Sequence, residues 1–212
     1  MGRRFNQKER GVVRKRKRST VFIVAEGHNR TEKNYFRGFV AKHKNLTFKI
    51  VHDSSTDPER MAQSLADFMD EMDYSAEDGD MAFCLIDHDC NQTKDEQIQK
   101  ALEIARKRGF DVIVSNPCFE VWFICHYTST PRNYSSSKEV LKELEEYLPD
   151  YEKSDTDIYD RTEPNLQSAI NNAKHLVQRC QEQGHSQFRF DFSPCTDMYL
   201  AIEKMLEASS KL

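Results

Sequence analysis

Strand-like and helix-like segments alternate four times in the first 130 residues of this chain, and this alternation constrains the fold more than any other feature. Continuous runs of β-branched and aromatic residues are typical of strands buried on both faces. After each run, apolar residues recur at helical spacing. The pattern predicts an α/β fold, with a mostly parallel four-stranded sheet flanked by helices and joined by right-handed crossovers. The predicted strands are Thr20–Ala25, Leu46–Val51, Met81–Ile86 and Phe110–Val114.

Local signals mark where the helices begin and end. Asp57 precedes a proline, which suits a helix start because aspartate caps the first turn and proline fits its first position. Gly109 suits the end of the third helix, since glycine readily adopts the left-handed conformation found there. Asn116 also precedes a proline and is predicted to cap a fourth helix.

The last third of the chain has a different character. From Thr128 onward, polar connections and helical apolar stripes replace the strand–helix alternation, and a last helix is predicted from Pro194. The polar segment from Asp150 to Pro164 is predicted to be a mobile loop. The predicted organisation is a basic disordered arm over residues 1–18, an α/β core over 19–130, and a helical extension packed on that core over 131–212.

Positive charge is concentrated at the amino terminus. Nine of the 31 Lys and Arg residues lie within residues 1–18, whereas 34 of the 35 Asp and Glu residues lie beyond them. A cationic arm on an acidic body suggests a nucleic-acid partner, and a tail that only aids solubility is the alternative. Near the first helix start, basic residues could receive a phosphate or be ordinary solvated charges. The candidate nucleic-acid-binding residues are Arg14, Lys15, Arg16, Lys17, Arg18, Arg30 and Lys33.

Composition argues against several other classes of protein. No apolar stretch approaches the roughly 20 residues of a membrane span. The amino terminus lacks the apolar core of a secretory signal, so a cytoplasmic location is expected. The six cysteines show no CxxC spacing, which argues against a zinc site and favours reduced thiols.

Acidic residues follow the first and third predicted strands. Glu26 comes directly after the first strand, and Asp87 and Asp89 come directly after the third. Sites in an open parallel sheet form at the carboxyl ends of the strands. Asp87 and Asp89 are two residues apart, so in an extended segment both point the same way. Oxygen ligands of this kind suit Mg²⁺, which usually takes one or two protein carboxylates.

Each of these residues also has an ordinary interpretation. An Asp-x-Asp pair is common in solvated turns. Asn116 would be explained by capping alone, and Glu120 fits either the same edge or a solvated helix face. His28 and His88 flank the acidic residues and could contact phosphate, but loop histidines without a chemical role are more common.

Several phrases of the sequence carry a resemblance to known proteins. The Glu-Gly after the first strand and the Asp-x-Asp after the third resemble a Toprim domain, a Rossmann-like fold. A narrower resemblance rests on four phrases: EGHNRTEKNYF (Glu26–Phe36), LIDHD (Leu85–Asp89), SNPCFEVWFICHY (Ser115–Tyr127) and SPCTDMYLAIEKM (Ser193–Met205). With these phrases the chain resembles, from Ser19 to Leu206, the RloB-like family, which is related to abortive-infection proteins of the AbiLii type. In the last phrase Ser193 and Cys195 stand where Asn and Ser are more usual.

The resemblance implies a nuclease that hydrolyses phosphodiester bonds of DNA or RNA with Mg²⁺ or Mn²⁺, in a phage-defence or restriction-associated locus. It also implies a partner ATPase of the ABC or SMC type in some arrangements. Asp87 and Asp89 would anchor the metal. Glu26 would share it or act as general acid/base. Glu120 would complete the catalytic set.

Two other interpretations stay open. In the first, the fold is a non-catalytic module that binds nucleic acid or a partner ATPase. The second is a phospho-acceptor domain, which is disfavoured because His-Asn-Arg follows Glu26 where a second acidic residue is expected. The sequence does not decide the oligomeric state, and a homo-oligomer is one arrangement that it allows.

Overall fold

A five-stranded sheet organises the chain in this computed structural model, which describes residues 18–27, 30–51, 55–129 and 132–210. The strands run in the spatial order β2-β1-β3-β4-β5. The first four are mutually parallel, and the last pairs antiparallel with its neighbour. The strands are β1 (Ser19–Ala25), β2 (Leu46–Ile50), β3 (Met81–Asp87), β4 (Asp111–Asn116) and β5 (Cys195–Thr196). The four predicted strands and the mostly parallel α/β sheet are thus confirmed.

Helices cover both faces of this sheet. The predicted signals at two helix ends are confirmed: the Asp57 side chain accepts a hydrogen bond from the backbone N–H of Arg60 at 3.0 Å, and Gly109 ends its helix with a φ of 79°. The helices are α1 (Arg30–Lys42), α2 (Pro58–Glu71), α3 (Lys94–Arg108), α4 (Val121–Cys125), α5 (Ser137–Tyr147), α6 (Ile158–Thr162), α7 (Leu166–Glu182) and α8 (Met198–Ser210).

Two hydrophobic cores lie on opposite sides of the sheet. Successive residues of a strand point to opposite faces, so Val21 and Ile23 enter one core while Phe22 and Val24 enter the other. This explains why β1 is apolar without interruption. Helices α2 and α3 pack on one face. On the other, α1 and α4 share a single core with α5, α7 and α8. The residues after 130 therefore share one core with α1 and α4 on one face of the sheet, and the predicted domain boundary stays a prediction.

Three local predictions were wrong. Asn116 does not cap a helix, because it ends β4 and its side chain holds two other backbone segments; α4 begins only at Val121. The last helix begins at Met198, since Cys195–Thr196 forms the additional strand β5. The segment predicted as a loop between Asp150 and Pro164 contains α6, with Ile158 fully buried. Strands and helices this short show no periodicity that a sequence pattern could reveal.

Within the part of the chain that the structure describes, no helix is both long enough and apolar enough to span a bilayer.

Candidate functional site at the carboxyl edge of the sheet

The neighbouring strands β1 and β3 form the centre of the sheet, and their carboxyl ends lie side by side. The chain leaves β1 through α1 on one face and leaves β3 through α3 on the other face. It then returns to β2 and β4 on opposite sides of this central pair. In open α/β sheets, ligands bind in the crevice outside the strand ends at such a point. Ala25 pairs with Leu85, so Glu26 and Asp87 emerge beside each other at this edge.

Lys94 lies among the residues that end β1 and β3. Its Nζ donates hydrogen bonds to Glu26 Oε1 and Oε2 at 3.1 and 2.9 Å, to Asp89 Oδ2 at 2.8 Å, and to the main-chain oxygen of Asp87 at 2.7 Å. Only 9% of the lysine side chain is exposed. Because two carboxylates contact one nitrogen atom, Glu26 and Asp89 adjoin each other although 63 positions separate them in the sequence.

The turn after β3 determines where Asp89 points. The strand ends at Asp87, and Asp89 and Cys90 adopt positive φ angles of 59° and 50°. The backbone N–H of Asp89 donates to Pro117 O at 2.8 Å, and that of Cys90 donates to Asn116 Oδ1 at 3.1 Å. The expectation of an extended segment through Asp89 is therefore wrong. A left-handed turn, which aspartate tolerates better than most residues, directs Asp89 to the lysine instead.

Glu32, Asp87 and Glu120 form the inner part of the acidic cluster. Glu120 is 2% exposed and Glu32 is 8% exposed. The hydroxyl group of Tyr151 donates a hydrogen bond to Glu120 Oε1 at 3.2 Å, and Lys153 Nζ lies 3.5 Å from the same oxygen. We refer to Glu26, Glu32, Asp87, Asp89 and Glu120 together as the acidic cluster.

Burial and mutual repulsion raise the pKa values of this cluster. Burial, with added repulsion from Glu120 and Glu26, raises the pKa of Glu32 to about 7. Burial also raises the pKa of Asp87 well above its usual value, and Glu32 and Glu120 add to this effect. The pKa of Glu26 is raised by burial, which the charge of Lys94 partly offsets. Crowded carboxylates behave in this way when positive charge nearby is insufficient.

Lys94 is positively charged in this setting. Burial by itself lowers the pKa of a lysine, but the hydrogen bond to Asp89 and the charge of Glu26 outweigh that effect, so the pKa of Lys94 is raised. The lysine therefore supplies one full positive charge at the point where Glu26 and Asp89 meet.

The predicted catalytic residues converge, and the described residues include three of the predicted basic residues, Arg18, Arg30 and Lys33. Glu26, Asp87, Asp89 and Glu120 all belong to the acidic cluster. At the start of α1, Arg30 is exposed and Lys33 is partly exposed. Arg18 lies at the amino end of β1, on the opposite edge of the sheet. Arg14, Lys15, Arg16 and Lys17 lie outside the described residues, as does His28. His88 is fully buried, and its Nε2 lies 3.0 Å from Asp95 Oδ1.

Sequence reasoning missed four residues of the site: Glu32, Lys94, Tyr151 and Lys153. Two of them had a usable signal. Glu32 and Lys94 lie in the first turns of the helices that follow β1 and β3, and those turns start at the same edge as the strand ends. Tyr151 and Lys153 come from the connection between α5 and α6, which only the tertiary structure brings to this edge.

The oxygen donors of the cluster match the chemistry of a hard divalent cation. Carboxylate and carbonyl oxygens are the ligands that Mg²⁺ prefers, at about 2.0–2.1 Å. Here the oxygens of Glu26, Asp87 and Asp89 surround the Lys94 nitrogen at hydrogen-bonding distances instead. Among the described residues, no group of three or more His, Cys, Asp or Glu side chains is arranged to hold a metal ion. The donor set fits such an ion if the lysine gives up its position.

Comparison with known proteins agrees with the sequence phrases. A family model described as RloB-like protein matches residues 21–205, which includes every member of the acidic cluster. No curated protein and no solved structure matches the chain.

Proposed function

The chain belongs to the RloB-like protein family, and from this membership and the acidic cluster we propose that it is a Toprim-type nuclease. It would hydrolyse phosphodiester bonds of DNA or RNA with Mg²⁺ or Mn²⁺, in the phage-defence or restriction setting that the resemblance implies. Family membership alone does not establish a reaction. The proposal therefore depends on the chemistry of the cluster.

One observation carries the proposal: Glu26 and Asp89, which follow the neighbouring strands β1 and β3, contact the same cationic atom at the carboxyl edge of the sheet. Collecting five carboxyl groups at one place, three of them with raised pKa values, costs folding free energy. Folded proteins tend to retain such costs where function requires them.

The residues of the cluster have distinct proposed roles. Glu26, Asp87 and Asp89 would hold the divalent cation, which when bound neutralises the phosphate and stabilises charge on the leaving oxygen. Glu120 lies behind Asp87, where its charge and its hydrogen bond from Tyr151 help to orient the cluster. The side chain of Lys153 is 61% exposed beside Glu120, so its ammonium group is available to a substrate phosphate.

The test is cleavage of plasmid DNA, single-stranded DNA and tRNA with Mg²⁺ or Mn²⁺. Glu26→Gln and Asp87→Asn should each abolish cleavage while the proteins stay folded. Asp111→Asn is the matched control, because this exposed aspartate starts β4 at the opposite edge of the sheet and pairs with Lys204. Cleavage that survives in both cluster variants would refute the assignment.

A non-catalytic module is the second candidate, and Lys94 is the observation that favours it. The lysine already pairs with both Glu26 and Asp89, as in a purely structural ion-pair network. In that case wild type and Glu26→Gln would bind nucleic acid, or a partner ATPase of the ABC or SMC type, with equal affinity. Neither protein would cleave any substrate.

A further inference from the structure

We propose that Lys94 is the built-in counter-ion of the acidic cluster, and that a divalent cation enters only by displacing its ammonium group. The lysine and the metal would thus exchange at one position. This inference rests on the proposed function in one respect, namely that a divalent cation binds to the cluster. It does not require that cleavage follows.

The contacts of Lys94 are those of an ion in a binding site. Its nitrogen is surrounded by four oxygen atoms from Glu26, Asp87 and Asp89, at 2.7 to 3.1 Å. An ammonium group has only three hydrogens to donate, so the two oxygens of Glu26 share one of them. The carboxylates of Glu26 and Asp89, which bind the lysine, are also ligands proposed for the metal, whereas Asp87 contacts the lysine through its main-chain oxygen. The lysine and the metal therefore compete for the Glu26 and Asp89 carboxylates.

The charge balance favours exchange for an ion of higher charge. Five carboxyl groups meet here, and within the described part of the chain Lys94 pairs with Glu26 and Asp89 while Lys153 lies 3.5 Å from Glu120. Replacing a single positive charge by a double one compensates more of the repulsion among these carboxyl groups. Because the cluster is partly buried, the interaction per charge is larger than at an exposed surface.

The position of Lys94 allows its ammonium group to move out of the acidic cluster. Lys94 is the first residue of α3, and its four-carbon side chain can swing without moving the helix. On the outer side of the site, the Asp89 side chain is 43% exposed, so water reaches that side. The displaced ammonium group would move outward, past Asp89, where it could meet a phosphate of the substrate.

Exchange predicts that Lys94 weakens metal binding. Lys94→Met keeps an unbranched side chain only one atom shorter but removes its charge, so the cation no longer competes with an internal one. We expect Mn²⁺ to bind Lys94→Met about tenfold or more tightly than wild type, within the usual range for coupled binding events. The melting temperature should be lower than wild type in EDTA, and Mn²⁺ should raise it by a larger increment.

The experiment is a Mn²⁺ titration of the full chain by isothermal calorimetry, with melting curves in EDTA and in Mn²⁺. Lys100→Met is the matched control, because Lys100 lies in the same helix, is 59% exposed and pairs only with Glu59 among its described ion pairs. The control should bind Mn²⁺ as wild type does. Unchanged or weaker Mn²⁺ binding by Lys94→Met would overturn the inference, since a lysine that assists metal binding gives that result.

A second measurement needs no variant at position 94. Acetylation of wild-type lysines by an amine-reactive ester, followed by mass spectrometry, reports how accessible each ammonium group is. Mn²⁺ should increase the labelling of Lys94 several-fold and leave Lys100 unchanged. Reduced or unchanged labelling of Lys94 would mean that the lysine stays in place.

The outcomes separate this inference from the proposed nuclease. Tighter Mn²⁺ binding by Lys94→Met without cleavage by wild type supports the exchange and refutes the nuclease. Cleavage by wild type with weaker Mn²⁺ binding by Lys94→Met supports the nuclease and refutes the exchange. If neither wild type nor any variant binds Mn²⁺, both the exchange and the nuclease are refuted.

Discussion

Replacing Asp197 by asparagine should stabilise this protein at neutral and alkaline pH. The Asp197 side chain lies near the β4–β5 edge, is 2% exposed, and accepts a hydrogen bond from Gln187 Nε2 at 3.2 Å. Burial raises its pKa from the ordinary value of 3.8 to about 7, although the Gln187 hydrogen bond works in the opposite direction. Above pH 7 the folded protein therefore contains a buried negative charge.

The magnitude follows from the difference between the two pKa values. Between about pH 4 and pH 7 the folded state binds a proton that the unfolded state has lost, so the free energy of unfolding decreases as the pH rises. The difference between 3.8 and about 7 corresponds to about 4 kcal/mol at most. Asparagine can still accept the hydrogen bond from Gln187 but carries no charge. The gain from Asp197→Asn should be near zero at pH 4 and largest above pH 7.

The assay is urea unfolding of wild type and Asp197→Asn at pH values from 4 to 8.5. Asp191→Asn is the control, because Asp191 is exposed and its hydrogen bond with His185 lowers its pKa. That variant should lose stability at neutral pH rather than gain it, since a lowered pKa stabilises the fold above the unfolded value. Parallel pH profiles for wild type and Asp197→Asn would refute the reasoning.

Three further substitutions test the packing that positions the site. Gly38→Ala should destabilise the protein by about 1–3 kcal/mol in thermal melts, because the added Cβ would lie 2.5 Å from Tyr159 Cβ and overpack the core; a stabilised variant would contradict this close approach. Asp57→Ala should cost about 1 kcal/mol in urea unfolding through loss of the helix cap, and an unchanged midpoint would contradict it. Asn116→Leu should speed proteolysis within residues 188–192, because Asn116 Nδ2 donates to Phe190 O at 3.0 Å and Phe192 O at 3.2 Å; a cleavage rate equal to that of wild type would show that these bonds do not hold the segment.

The acidic residues at the strand ends were predictable, whereas their arrangement was not. Glu26 and Asp87 could be located because a buried parallel strand has a simple pattern and its carboxyl end is a known place for sites. The direction of Asp89 could not be predicted, because it depends on a left-handed turn. Hydrogen bonds to Pro117 and Asn116, at the end of the neighbouring strand β4, hold this turn. Lys94 was missed because a lysine in the first turn of a helix looks like a solvated charge.

The sequence by itself determined the α/β class, the four parallel strands, the Asp57 cap of α2 and the family. Each of these depends on a local pattern or on short phrases. Only the tertiary structure decided that residues after 130 complete one face of the sheet, and that Tyr151 and Lys153 reach Glu120. It also decided that Lys94 occupies the centre of the acidic cluster. The physical reason is that local periodicity reports which face of an element is buried, whereas electrostatic contacts between distant segments depend on how those elements pack.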